Sequence, residues 1–165
     1  MFLAQSHIMS KVYSLNKLQK IPAKIKDVWE FFSNPDNLKN ITPPDLDFNI
    51  ISQNQSQKIY TGQIIEYKLK PLLNISVYWM TEITFAENEK FFVDEQRFGP
   101  YSFWHHQHHF RQIENGVEMI DIVHYKIPFW FFGDIANSFI IRKKLEEIFR
   151  YRYLKTEEVF GKWID

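Results

Sequence analysis

The 165-residue chain contains no cysteine. Disulfides, thiolate nucleophiles and cysteine-built zinc sites are therefore excluded. It carries no excess charge of either sign, with Lys+Arg and Asp+Glu at 20 each. A nucleic-acid partner held by a broad electrostatic footprint is not expected. No run approaches the roughly 20 apolar residues that a bilayer-spanning helix needs, so no integral membrane segment is expected. The first eight residues include Met1-Phe2-Leu3-Ala4 but lack the basic start and long apolar stretch of a signal peptide. On those absent signals the expected compartment is cytoplasmic. Glycine is scarce, at five residues. There is neither a phosphate-cradling Gly-rich loop nor a Gly-x-Ser-x-Gly elbow.

What the chain has is aromatic side chains: 16 Phe, 8 Tyr and 5 Trp, or 18% of the residues. Aromatics bury large areas and favour strand surfaces. The surplus fits a wide sheet with an apolar concave face, or simply a bulky core. The length fits one domain that can bury roughly 70% of its unfolded surface. Residues 9–163 are read as that domain and residues 1–8 as a short N-terminal extension.

Taken in order, Met9 to Lys20 reads as a strand of weak polarity that ends at Ile21-Pro22. Lys24 to Phe32 reads as a short helix, with Ile25, Val28, Trp29, Phe31 and Phe32 at helical spacing. Asn34-Pro35-Asp36 starts a second short helix carrying Leu38 and Ile41, which stops before Pro43-Pro44. Strands follow at Phe48 to Ile51, Ile59 to Leu69, Ile75 to Phe85 and Phe91 to Phe98. In the third of these, Ile75, Val77, Trp79, Thr81, Ile83 and Phe85 share one face. Phe103 to Ile113 and Val117 to Ile127 form a hairpin about Asn115-Gly116. Phe129-Trp130-Phe131-Phe132 forms an apolar loop, either packed over the next helix or serving as a hydrophobic entrance or membrane-touching tip. Asp134 then caps a helix running to about Phe160. Its stripe is Ile135, Ser138, Ile141, Leu145, Ile148, Phe149, Arg152 and Val159, with Glu146–Arg150 and Lys143–Glu147 pairs on the solvent side. A curved sheet with one apolar face needs a cover, and only the last helix is long enough.

Several strings together carry a resemblance. They are Ile21-Pro22-Ala23, Val28-Trp29-Glu30-Phe31-Phe32, Asn37-Leu38 and Ile41-Thr42-Pro43-Pro44. Further along come Phe92-Val93-Asp94-Glu95-Gln96, Gly99-Pro100-Tyr101 and Trp104-x-His106-x-His108-x-Phe110, then Asp121-x-Val123-x-Tyr125-x-x-Pro128 and Ile148-Phe149-x-Tyr151-Arg152. In this order they resemble the START-like, or SRPBCC, superfamily, and within it the small bacterial ligand-binding proteins sometimes labelled cyclase/dehydratase-like. The resemblance spans about residues 12 to 161. It implies an α+β helix-grip fold: a curved antiparallel sheet of about seven strands wrapped on a long C-terminal helix, with two short helices after the first strand. It does not specify a ligand, because this superfamily hosts carriers, receptors and cyclases alike.

The candidate site centres on the four histidines of His105-His106-Gln107-His108-His109. On a strand, Trp104, His106, His108 and Phe110 point one way and His105, Gln107, His109 and Arg111 the other. A hairpin that sets Glu114 opposite Val117 places Phe110 opposite Asp121, His108 opposite Val123 and His106 opposite Tyr125. The concave face is then expected to hold Trp104, His106, His108, Phe110, Asp121 and Tyr125, joined by Asp94 and Gln96. Trp79, Ile83, Leu145 and Phe149 would line the apolar part of the pocket.

Three functions fit. One is a non-enzymatic module that binds a small hydrophobic molecule (lipid-, polyketide- or aromatic-like). Another is a cyclase or dehydratase in which His106 or His108 moves protons and Asp121 orients the imidazole. The third is a structural or protein-interaction domain whose polar groups satisfy one another in a filled core. No metal and no cofactor are expected. On a strand only His106 and His108 share a near face, His105 and His109 lie four apart, and no acidic residue sits at local ligand spacing. The outer pair reads as a solvated face. Oligomeric state is left open.

Overall fold

A computed structural model describes residues 11–52, 58–72, 75–128 and 134–164, with the side chains of 72 and 134–138 excepted. The N-terminal extension read at residues 1–8, the aromatic loop at 129–132 and the side chains of Asp134, Ile135 and Ser138 lie outside the described residues.

Seven antiparallel strands form one sheet in the order β1-β7-β6-β5-β4-β3-β2. They are β1 (Tyr13–Ile21), β2 (Asn49–Ile50), β3 (Ile64–Leu72), β4 (Ile75–Glu87), β5 (Phe91–Phe98), β6 (Phe103–Ile113) and β7 (Gly116–Lys126). Helix α1 (Ile25–Phe32) follows β1, and the long helix α2 (Asp134–Phe160) closes the chain. The α+β helix-grip architecture expected from the sequence is the one observed. The second short helix is tighter than expected: Pro35–Lys39 and Pro44–Leu46 are 3-10 turns. Proline at each turn's start sets the entry, and the Asn34 side chain accepts the Asp36 N–H.

Strand alternation places the core. Odd-numbered residues of β1, Leu15, Gln19 and Ile21, are buried, as are Trp104, His106, His108 and Phe110 of β6. In β4, Trp79, Thr81 and Ile83 point inward as expected, but Phe85 does not. A register shift between Ile83 and Phe85 leaves Phe85 42% exposed, where it stacks on Phe91, and turns Ala86 toward the core.

The β6–β7 hairpin is offset by two residues from the sequence reading. Ile113 pairs with Gly116, so the turn is Glu114-Asn115, and Asn115 takes the left-handed conformation (φ 65°). Gly116 already belongs to β7. A Cβ there would lie 2.1 Å from the Ile21 carbonyl oxygen, so this glycine serves a close strand approach. A shift of two preserves faces but changes partners. His108 stands opposite Asp121, His106 opposite Val123, Trp104 opposite Tyr125 and Phe110 opposite Met119.

Helix α2 presents Leu145 and Phe149 to the sheet, with Ile141, Ile148 and Arg152 beside them. Toward its end Val159 is 52% exposed, while Thr156 is fully buried and Phe160 packs inward, so the stripe follows the true helical repeat. The surface pairs also differ from those expected. Glu146 meets Lys17 of β1 and Arg142, and Lys144 reaches Asp45 at 2.6 Å and Glu147 at 3.9 Å. These pairs tie the helix to the sheet and to the second 3-10 turn.

Candidate functional site: a histidine–aspartate box under the C-terminal helix

Strand β6 delivers His106 and His108 to the concave face. Neighbouring β5 contributes Asp94, and β7 contributes Asp121. Each imidazole lies between the two carboxylates. Asp121 Oδ1 is 2.9 Å from His106 Nε2 and 2.9 Å from His108 Nδ1. Asp94 Oδ2 is 2.8 Å from His108 Nε2 and 3.2 Å from His106 Nδ1. The Trp104 indole N–H donates to Asp94 Oδ1 at 3.2 Å, which turns the other oxygen toward the histidines. The imidazoles lie against each other, centroids 3.7 Å apart, with Phe92 stacked on His108 at 4.0 Å and the Phe149 ring edge-on to His106 at 5.6 Å.

The box is buried: His106 is 4% exposed, His108 5% and Asp121 2%. Burial by itself disfavours the charged form of every member. Mutual attraction outweighs it. The His106 and His108 rings hold Asp94 and Asp121 well below the usual carboxylate range, and the two carboxylates raise His106 above its ordinary value. Arg152 of α2 places Nη1 3.5 Å from Asp121 Oδ1 and lies over the Phe149 ring. The Arg152 guanidinium also lowers Asp121. Three buried nitrogens here nevertheless have no hydrogen-bond partner: His108 Nδ1, whose approach to Asp121 is off line, and Nε and Nη1 of Arg152. Such groups are costly unless something occupies the space in front of them.

That space exists. A cavity of about 170 Å³ lies between sheet and helix, with Asp94, His106, His108 and Arg152 at one end and Trp79, Ile83, Trp104, Leu145 and Phe149 among its walls. A second chamber of about 440 Å³ lies toward the start of α2. Tyr101, Leu145, Ile148 and Pro71 border both chambers. Among the described residues the outer chamber's walls are apolar except at Lys144 and the tyrosines, and they include the exposed Ile75 and Phe98.

Of the residues expected at the site, Asp94, Trp104, His106, His108, Trp79, Ile83, Leu145 and Phe149 line the inner chamber. Asp121 stands behind the histidines, bordering a groove between β1 and α2. The other three fall elsewhere. Gln96 is held at the β5–β6 turn, donating to the Tyr101 carbonyl at 2.6 Å and accepting the Tyr101 N–H at 3.1 Å. Phe110 packs at the far end against Trp29 and Phe32. Tyr125 is 1% exposed beneath Tyr13 and Tyr101. Sequence reasoning left out Phe92, Tyr101 and the site role of Arg152. Arg152 stood on the inward stripe of α2, which was the available signal.

Asp94, His106 and His108 also offer one ligand atom each within 4.8 Å of one another, a spacing that suits a metal ion. The local-spacing reading missed this because Asp94 arrives from a neighbouring strand.

No protein-family model matches the chain, and no curated protein does. Solved structures do match. The chain superposes on a START superfamily protein from Mycobacterium smegmatis with TM-score 0.62 and 9% identity, covering 88% of this chain and 98% of that one. It matches protein CV1439 from Chromobacterium violaceum at TM-score 0.69 and 9% identity, over 92% and 99% of the two chains. Ginseng major latex-like protein 151 from Panax ginseng gives 0.56 and 12%, over 87% and 98%. The chain therefore shares its helix-grip fold with these bacterial and plant proteins, at identities too low to carry function.

Proposed function

We propose that this domain binds a small hydrophobic molecule bearing one polar end, held between the sheet and α2. The observation that carries the reading is the asymmetry of the enclosed space. An apolar outer chamber adjoins, across Tyr101 and Leu145, an inner one whose far end is charged. The outer volume alone exceeds the roughly 300 Å³ at which ligand pockets begin. At the inner end, the unpartnered N–H groups of Arg152 suit a carbonyl or carboxylate oxygen. The exposed Ile75 and Phe98 give an apolar rim for entry. Among the described residues no helix is long and apolar enough to cross a membrane.

The test is displacement of a pocket-bound fluorescent dye by medium-chain fatty acids and aromatic carboxylic acids. Saturable displacement by wild type, abolished in Leu145→Trp and weakened about tenfold or more in Arg152→Gln, is the expected result. Displacement unaltered in both variants would move the pocket elsewhere.

A second reading, a cyclase- or dehydratase-type enzyme, is favoured by one observation: the buried His106–Asp121 pair beside the cavity. There His106→Ala or Asp121→Ala would abolish turnover while binding survives.

A further inference from the structure

We infer that Asp94, His106 and His108 form a binding site for one divalent first-row transition-metal ion, facing the inner chamber. The donor atoms are Asp94 Oδ2, His106 Nδ1 and His108 Nε2. Ligands about 2.1 Å from a common ion stand about 3 Å apart when they meet it at right angles. The observed spacings from Asp94 Oδ2, 3.2 Å to His106 Nδ1 and 2.8 Å to His108 Nε2, match that edge length. Two imidazoles and one carboxylate form a donor set suited to zinc or iron(II), with positions left open for water or a ligand oxygen.

Asp121 makes the arrangement more than a cluster. It sits on the opposite side of both rings, 2.9 Å from His106 Nε2 and 2.9 Å from His108 Nδ1. A carboxylate there takes His106 Nε2 in a hydrogen bond and so turns Nδ1 of that ring toward Asp94, while His108 turns its Nε2 to the same Asp94 oxygen. Ring-orienting carboxylates of this kind accompany metal-bound histidines. Trp104 performs the matching task for Asp94, fixing Oδ1 so that Oδ2 faces the rings. His108 supplies an independent sign: Nδ1 is buried and lacks a hydrogen-bond partner. A ring drawn to an ion through Nε2 would carry its proton on Nδ1, beside Asp121. Phe92, stacked on His108, and Phe149, edge-on to His106, limit rotation of the two rings.

The inference rests on the four side chains alone and not on the identity of the organic ligand, so its test uses the metal alone. Protein purified without a histidine tag and stripped with chelator is titrated with Co2+, read by visible d–d absorption and by paramagnetic broadening of the imidazole NMR signals. The expected result is saturation at one equivalent, with His106 and His108 broadened, His105 and His124 sharp, and Zn2+ displacing the colour. Asp94→Asn should abolish the spectrum in a protein that keeps its circular dichroism, and Asp121→Asn should weaken binding about 10- to 100-fold. His105→Gln should change nothing. No d–d absorption in folded wild type at excess Co2+ overturns the site, as does binding that survives Asp94→Asn. Broadening confined to His105, His109 or His124 would mark adventitious surface binding and overturn it equally. The wild-type broadening experiment needs no variant, so misfolding of a mutant cannot obscure the answer.

Discussion

Strand β6 carries two histidine pairs of identical chemistry on opposite faces. Inside, His106 and His108 are buried between Asp94 and Asp121 under α2. Outside, His105 and His109 are half-buried and joined through Gln107, with Glu95 2.7 Å from His105 Nδ1. One residue of offset separates a charged box at the end of a cavity from a surface hydrogen-bond ladder. Position on the pleat, and not residue type, decides what a histidine can do. The inner pair faces two carboxylates that are themselves desolvated, so its interactions are strong and its loss is costly. The outer pair exchanges with water.

The comparison breaks most sharply at Asp121. Asp121→Ala leaves Arg152 without its counter-charge and both imidazoles without their far partner. Removing one member of a buried ion pair costs about 3–5 kcal/mol, measurable by urea denaturation. A cost near zero would mean that the box is wetter than its burial indicates. His105→Ala and Glu95→Ala, by contrast, should each cost no more than about 1 kcal/mol.

The two faces should also titrate in opposite directions. Burial lowers the His109 pKa, and the neighbouring His108 lowers it further. Burial acts on His106 in the same direction, but Asp94 and Asp121 reverse it, with His108 and Arg152 as the other ionisable neighbours. NMR titration of the metal-free protein should give His106 a midpoint above the ordinary value of about 6.5 and His109 one below it. For stability the signs follow. The His106 contribution is complete below about pH 6.5 and is lost as pH rises through its raised folded value. The Asp94 and Asp121 contributions are present above about pH 4 and are lost as pH falls through their depressed folded values. Stability should therefore decline on both sides of a mildly acidic plateau.

A smaller effect on stability than that of Asp121→Ala should come from the partition between chambers. Leu145→Trp places a larger ring against Tyr101 and Ile148 and should change stability by about 1–3 kcal/mol while closing the inner chamber.

The sequence carried most of this architecture. Alternation in β4 and β6 and the helical stripe of α2 were readable because burial imposes a period on each element. The sharing of one face by His106, His108 and Asp121 was readable for the same reason. Pairing was not. Placing the turn at Asn115-Gly116 moved every partner in the hairpin by two residues, because the glycine answered to the Ile21 carbonyl and not to the turn. Phe85 left its face at a bulge that no local pattern announces. Val159 and Thr156 exchanged roles because a polar residue can be buried when its hydroxyl donates to the carbonyl four residues back, here Arg152. The metal-spaced triad escaped because its acid lies twelve residues before His106, on another strand. Spacing along the chain cannot show what a sheet brings together.

The most direct test of ligand binding is native mass spectrometry of freshly purified wild type and Leu145→Trp, followed by denaturation and organic extraction. The account requires a reproducible added mass on wild type that is released on unfolding, extracts as an apolar molecule with one oxygen-bearing end, and is absent from Leu145→Trp. The same added mass on both proteins, or a bare wild-type chain that takes up no fatty or aromatic acid when these are supplied, would contradict it.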